Sequence, residues 1–415
     1  MVRQRKRKRR PKRQKIQKAT NYYDYNLLAS VILLTCFGLV MLYSTSAYEA
    51  QLTYDGNDMY YFSKQAAISG VCLVAVLVVS HIDYHIIAKF STLLYMGANV
   101  LLFLTRFIGR EINGAKRWIY FGSVSFQPAE LGKLAIILFL PCLIVKFGKN
   151  MRGKKVPLIV LGFGAFTSLL TWIFTENLST AIIIAGITIV LIFVSHPKTK
   201  SFIIAGMGII TVVIIGIRFL VTSLGGSDNF RLNRILVWID PEAYASKGGY
   251  QVMQGLYAIG SGGMFGKGLG NSAQKLGAVP EAQNDMIFSI VCEELGIFGA
   301  ALLTLMFIFL LYRLMFIAQN APDLLGSLIV TGIFAHIALQ VILNIAVVIN
   351  LIPTTGVTLP FVSYGGTSVM FLMAEMALAL SVSGQIEFTE EEQVTEQERY
   401  TRPVRPNRND NRREN

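Results

Sequence analysis

The stretch VPEAQNDMIFSIVCEELG, residues 279–296, sets four carboxylates beside one of the most apolar runs of the chain. Glu281 and Asp285 precede Met286-Ile287-Phe288, and Glu293 and Glu294 lie about two helical turns further in. An ionised carboxylate near the centre of a bilayer costs roughly 2.5–3.5 kcal/mol on insertion scales. Acids kept in such surroundings therefore need a partner or a task. A positioned carboxylate can take the proton from an attacking hydroxyl, and one at a helix N-terminus can cap the backbone and meet the dipole. On a helix beginning at Asp285, Ser289, Cys292 and Gly296 share its face within about 40°, while Glu294 points the opposite way. Glu293 is about 80° round and roughly 12 Å deeper. Asp285 is then the acid that meets both an aqueous cavity and the bilayer interface, with general base and helix cap both open. Glu293 and Glu294 read as buried structural pairs or as the lining of a water cavity.

A second constellation is NGAKRWIYFGSVSFQPAELGK, residues 113–133. Pro128 suits a first helical turn, and Glu130 and Lys133, three apart, share a face on which they can neutralise each other. Lys116 and Arg117 stand beside Trp118; Trp is a common interface anchor and Arg a common phosphate ligand. The segment GLGNSA, residues 268–273, matches a dinucleotide pattern, but no strand precedes it and no βαβ unit surrounds it. Its glycines fit close packing, or N–H groups presented to a phosphate, better.

The elements that position these residues are membrane helices. The 415 residues are 53% hydrophobic and 15% charged, against about 25% charged in soluble chains. Ten apolar runs suffice to span a bilayer: 27–47, 62–80, 91–107, 129–147, 156–174, 178–195, 202–221, 285–316, 324–350 and 364–383. Backbone polar groups cannot lie bare in lipid, so the runs are helical. The expected fold is all-α and polytopic. A basic tail (1–26) leads into a ten-helix domain (27–383), and a polar, disordered tail (384–415) follows.

Residues 1–18 carry eleven Lys and Arg and no acid. The positive-inside rule places them, and both termini, in the cytoplasm. The run after this tail is not a cleavable signal peptide. The net charge of +13 comes without a nucleic-acid recognition fold, so the tail reads as topogenic and lipid-facing, with no nucleic-acid partner. Cys36, Cys72, Cys142 and Cys292 fall inside predicted spans without metal-ligand spacing.

On the outer side lie the loops 48–61, 108–128, 222–284 and 351–363. The third is far longer than a mere connection; it holds nine glycines between Gly248 and Gly270, and its 251–259 segment suits a short re-entrant helix. Arg106, Arg110, Lys116, Arg117, Arg231, Arg234, Lys247, Lys267 and Lys275 set cations on the side the rule disfavours. Either an anionic ligand or a solvated loop face accounts for them.

Three segments together, NGAKRWIYFGSVSFQPAELGKLAIILFL, GLGNSAQKLGAVPEAQNDMIFSIVCEELG and IPTTGVTLPFVSYGGTS, resemble the SEDS (shape, elongation, division, sporulation) family. These are ten-span peptidoglycan glycosyltransferases, and the similarity runs from about residue 22 to 385. GNSAQK with PEAQND is closer to the division type, FtsW, than to the elongation type, RodA. Gln283, Asn284 and Met286 stand where His, Thr and Phe are common in the family. The resemblance implies polymerisation of lipid II at the outer face of the cell membrane, at the division septum, with Asp285 as catalytic base. It implies substrate contacts at Lys116, Arg117, Trp118, Glu130, Lys133, Gln274, Lys275, Glu281 and Ser363. It implies a class B penicillin-binding protein and other division proteins as partners. No cofactor is required by the sequence, and a divalent cation on the pyrophosphate stays open. A lipid II flippase, with Glu293, Glu294, His336, Asn344 and Glu375 lining a polar route, and a non-catalytic division scaffold are the alternatives.

Overall fold

The computed structural model describes residues 20–112, 115–121, 124–153, 155–197, 230–276, 279–280 and 282–388. The basic residues before 20, the expected span at 202–221, Glu281 and the tail from 389 lie outside these. Strand β1 (Thr20–Tyr22) leads into α1 (Tyr25–Thr53), whose first turn is capped by Asp24 accepting the Leu27 N–H at 2.8 Å. α2 (Tyr60–Val79), the short α3 (Tyr84–Lys89) and α4 (Ser91–Ile108) follow. Next come three strands, β2 (Arg110–Ile112), β3 (Ala115–Phe121) and β4 (Val124–Phe126). α5 (Pro128–Phe147), α6 (Lys155–Thr175) and α7 (Leu178–Ser195) complete the first half. The second half holds α8 (Phe230–Ile239), α9 (Gly249–Gly262), α10 (Ile287–Asn320), α11 (Leu324–Val348), α12 (Gly366–Ser383) and β5 (Ile386–Phe388).

Among the described residues nine helices are long and apolar enough to cross a membrane. They match nine of the ten expected runs, and the fold is a polytopic helical bundle. Successive helices alternate in direction, so one end carries Asp285 and the other, the tail end, carries the described ends of the chain, Thr20 and Phe388. α8 is held at the Asp285 end, where Arg234 donates to the Thr354 carbonyl at 3.2 Å and Trp238 to the Asn350 carbonyl at 3.1 Å.

α11 and α12 are the most enclosed helices of the bundle. α11 packs against α5, α7 and α10, and α12 lies against α2. The interior is apolar along α5, α10, α11 and α12, with Ile136, Ile137, Leu303, Leu310, Ile329, Ile333, Met376 and Leu380 fully or almost fully buried. α1 comes close to the connection after α11 because Gly38 has no side chain. A Cβ there would collide with the Phe361 carbonyl.

Two features were not expected from the sequence. The connection 108–128 is an antiparallel sheet in the order β2-β3-β4, bulged between Arg110 and Glu111. At the opposite end β1 pairs antiparallel with β5, Thr20 opposite Phe388, and closes the bundle behind the buried pair Arg313–Asp24 at 2.7 Å.

α10 also departs from expectation. It starts at Ile287, two residues after Asp285, and breaks at Gly296 (φ 68°, ψ −164°). The continuous face joining Asp285, Ser289, Cys292 and Gly296 therefore does not form. A break within a span exposes backbone groups that lipid cannot satisfy. The glycine-rich chain after α9 satisfies them. Lys267 and Gly268 donate to the Glu293 and Glu294 carbonyls, both at 2.9 Å, and Ile297 and Phe298 donate to Gly263 and Met264 at 3.0 and 3.2 Å. Gly266 (φ 77°) lies so close to the Glu294 carbonyl and the Gly296 amide that a side chain would not fit.

Candidate active site

Asp285 sits half-buried in the turn that precedes α10. Met286 occupies the N-cap position and makes no side-chain cap bond, so the helix-cap reading of Asp285 does not describe this geometry. What fixes the turn is its own backbone. The Tyr364 N–H donates to the Gln283 carbonyl at 2.9 Å, the Ser363 hydroxyl to the Asn284 carbonyl at 2.6 Å, and the Asn344 amide to the Asp285 carbonyl at 2.8 Å. Three consecutive carbonyls are held by α11 and the connection 349–365. Gly356 lies against that carboxylate: a Cβ built there would be 3.9 Å from the Asp285 Oδ2.

Arg234 of α8 approaches this turn, and Arg117 of β3 stands near Arg234. Arg234 of α8 is near enough for the Asp285 charge to act on it. Burial pulls its pKa below the ordinary arginine value, and Asp285 opposes that pull. Arg117 of β3 donates to the Glu176 carbonyl at 3.2 Å. Burial again lowers its pKa most, the like charge of Arg234 adds to this, and Glu176 opposes it. Among the described residues its buried Nε has no hydrogen-bond partner. Arginine stays charged at any physiological pH. Two half-buried like charges side by side favour an anion, and a planar guanidinium suits phosphate oxygens.

The scaffold around these groups is strained where it turns. The non-glycine residues with left-handed backbone among those described are Asp55, Glu176, Asn350 and Phe361, all in connections at the Asp285 end. Such conformations cost of order 1–3 kcal/mol each and gather at functional sites. Glu176 shows how the strain is used. Its carbonyl accepts from Arg117 and its carboxylate pairs with Arg106 at 3.1 Å, while Ser179 two residues past Asn177 donates to the Thr355 carbonyl at 2.6 Å.

The remaining sequence-derived candidates are distributed unevenly. Ser363 belongs to the site, holding Asn284 and also accepting the Leu359 N–H at 2.8 Å. Trp118 and Lys116 are half-buried on β3, paired in register with Arg110 and Glu111. Glu130 and Lys133 form a buried pair at 2.9 Å. Lys133 also donates to Gln340 at 3.2 Å, His336 bridges Gln340 and Glu375, and Ser368 reaches Glu130 at 3.4 Å. This polar chain ties α5, α11 and α12 together across the bundle. Lys275 is committed to Glu294 at 2.7 Å and to Ser44 at 2.9 Å, and Gln274 next to it is half-buried. Glu281 lies outside the described residues. Sequence reasoning passed over the site roles of Arg234, Glu176, Thr354 and Gly356. Arg234 had already been marked as a cation on the disfavoured side, and that signal pointed to it.

Glu293 and Glu294 are wholly buried and wholly engaged. Glu293 pairs with Lys267 at 2.7 Å and accepts from Ser261, Ser272 and the Ala273 N–H. Glu294 takes Lys275, Ser44 and the Ser272 N–H. They fasten the glycine-rich segment to the broken helix.

Known proteins share this architecture. Residues 24–387 match the family of cell cycle proteins comprising FtsW, RodA and SpoVE. The chain is 38% identical to "Stage V sporulation protein E" of Bacillus subtilis, over 87% of this chain and 96% of that protein. It is 34% identical to "Probable peptidoglycan glycosyltransferase FtsW" of a Geobacter species, again over 87% and 96%. In three dimensions it superposes on a chain of a solved peptidoglycan synthase complex that coordinates polymerization and crosslinking, with TM-score 0.71 and 25% identity over 87% of this chain and 97% of that one. The chain belongs to the FtsW/RodA/SpoVE family. It is a multi-pass membrane protein of that class.

Proposed function

We propose that the chain is a peptidoglycan glycosyltransferase that polymerises lipid II at the outer face of the cytoplasmic membrane during division. The relatives named peptidoglycan glycosyltransferase support the reaction class. The observation that carries the residue assignment is Arg234, with Arg117 near it, beside a carboxylate whose turn is clamped at three successive carbonyls.

In the reaction the C4 hydroxyl oxygen of an incoming N-acetylglucosaminyl unit bonds to the anomeric carbon at the lipid-linked end of the growing strand. The bond from that carbon to undecaprenyl pyrophosphate breaks, and the hydroxyl proton passes to Asp285. Direct displacement inverts the anomeric centre. A positioned base contributes about 10²–10⁴-fold. Arg234 is the charge beside Asp285, and with Arg117 it meets the negative charge that grows on the leaving pyrophosphate. Lys116 and Trp118 on the same strand extend this wall toward the lipid headgroup. Gln274 and Lys275 act indirectly, by fixing the segment before the Asp285 turn, and Glu130 and Lys133 by holding α5 to α11.

The basic tail fits the cytoplasmic side. Both described ends of the chain, Thr20 and Phe388, lie together. The synthase complex supports a transpeptidase partner of the class B penicillin-binding type, and the cell cycle family supports a septal location. The polar residues a flippase would need are spent on one another or on backbone: His336 on Glu375 and Gln340, and Asn344 on the Asp285 and Val357 carbonyls.

The test is conversion of labelled lipid II into glycan polymer by the purified protein, alone and with its transpeptidase. Polymer formation abolished by Asp285→Asn supports the assignment; translocation of lipid II without polymer under both conditions would replace it with the flippase.

A further inference from the structure

Beside the connection that holds the Asp285 turn stands a group of tyrosines. Tyr54 and Tyr60, across the turn from α1 to α2, stack with centroids 3.6 Å apart, and Tyr61 meets Tyr54 edge-on at 5.7 Å. Tyr61 also meets Tyr364 edge-on at 5.0 Å. The Tyr364 N–H is the one that holds the Gln283 carbonyl, so this ring is fixed to the catalytic turn through one hydrogen bond. The Gln283 side chain is buried, and its amide donates to the exposed Glu49 carboxylate at 2.7 Å. The Lys64 ammonium stands 5.9 Å over the Tyr60 ring.

Aromatic residues at a membrane surface often serve as headgroup anchors. These four are half-buried, are packed on one another across three elements, and adjoin a carboxylate and an amide. Aromatic faces with a polar rim suit a ligand that is apolar on its ring faces and hydroxylated at its edge, which describes a pyranose.

We propose that Tyr61 and Tyr364, with Glu49 and Gln283 at their rim, form the subsite for the incoming N-acetylhexosamine, the acceptor of the transfer. This rests on the glycosyltransferase reading above. Direct displacement requires the nucleophile to approach opposite the leaving group. Arg234 bonds the Thr354 carbonyl and acts on Asp285, while Tyr364, in contact with Tyr61, bonds the Gln283 carbonyl. Asp285 is two residues past Gln283 in the same turn, so the proposed base adjoins the proposed subsite. The subsite consumes no co-reactant and forms no bond; it orients the sugar.

Chitotriose, a soluble oligomer of N-acetylglucosamine, serves as the probe, because it binds without being turned over. Its affinity is measured by saturation-transfer NMR on the detergent-purified full chain. Wild type and Asp285→Asn are expected to bind it equally. Tyr364→Ala and Tyr61→Ala are expected to weaken it roughly five- to tenfold, the scale of a lost ring contact, while Tyr364→Phe retains it. Thermal midpoints in detergent identify any Ala variant that has lost its fold, and Tyr364→Phe against Tyr364→Trp then reads the ring alone. No binding by wild type, or undiminished binding by folded Ala variants, overturns the subsite. Binding through the tyrosines in a protein that makes no polymer would keep the saccharide site and remove the catalytic reading instead.

Discussion

The two ends of one short segment put acids to opposite uses. Glu293 and Glu294 have no exposed surface and are met by named cations, hydroxyls and amides from three other parts of the chain. Asp285, two turns away in sequence, is half-buried, has its backbone held by α11 and the connection after it, and lies near the charge of Arg234. A carboxylate with no exposed surface holds structure and is out of a substrate's reach. A half-buried carboxylate on a rigid main chain stands where a substrate can meet it. The difference lies in what the surroundings spend, not in the residue type.

The largest effect that can break this comparison is on stability. Removing one partner of a buried ion pair typically costs about 3–5 kcal/mol, so Glu294→Ala is expected to lower the thermal midpoint sharply and to free the segment around Lys275 to proteolysis. If Glu294→Ala melts with wild type, the fastening role is wrong.

Asp285→Asn is expected to behave in the reverse manner. Its fold and thermal midpoint stay close to wild type while glycan formation falls by about 10² or more, the low end for a lost base. Asp285→Glu is also expected to be poor, because the added methylene displaces the carboxylate from the hydroxyl. A stable Asn variant keeping more than about a tenth of the parental rate would transfer the base to another group.

The cationic side comes next. Arg234→Ala is expected to lower kcat/KM for lipid II by roughly ten- to a hundredfold, the loss of charge-assisted hydrogen bonds worth about 1.5–3 kcal/mol. Arg117→Ala is expected to follow in the same direction without unfolding the protein, and Arg117→Lys to recover part of it. Parental kinetics in both Ala variants would leave the pyrophosphate without its receptor.

The smallest effect is at the tail end, where charge is structural and exposed. His85 bridges Asp83 and Asp323 at 2.7 and 2.9 Å, and Gln385 joins them through Asp83. The hydrogen bond from Gln385, aided by the His85 N–H, pulls the Asp83 pKa down to about 2. Burial works against the charged His85, but the two carboxylates outweigh it and raise its pKa. For a raised histidine the stabilisation is complete below the unfolded value of about 6.5 and is lost as pH climbs through the folded one. For Asp83 it is complete above about 3.9 and lost as pH falls toward the lowered value. Thermal midpoints are therefore expected to decline slightly from pH 6 to pH 8, and His85→Gln to flatten that decline.

The sequence exposed the helices well, because a bilayer enforces long apolar runs and nothing local competes with them. It marked Asp285 and Arg117 as candidates through spacing and side preference, and the resemblance added the expected reaction. What it hid was contact between distant segments. The cap reading of Asp285 depended on where α10 begins, and Met286 decides that through a turn held by residues some 60 to 80 positions later. The break at Gly296 looked like an ordinary glycine in an apolar run, since only the facing segment 263–268 makes it tolerable. The small sheet of residues 110–126 carried no clear alternation. Arg234 was one loop cation among several until Thr354 and Asp285 were seen beside it.

The pairing of Thr20 with Phe388 has a practical consequence for the chain as a covalent object. Its first and last described residues are neighbours, so a short linker from 388 to 20 can make the backbone circular without moving a helix. New ends can then be opened in the exposed connection at 148–153, between α5 and α6 at the same end of the bundle. Such a permuted chain would begin and end away from both native tails, and a reporter attached there would leave the β1–β5 clasp undisturbed.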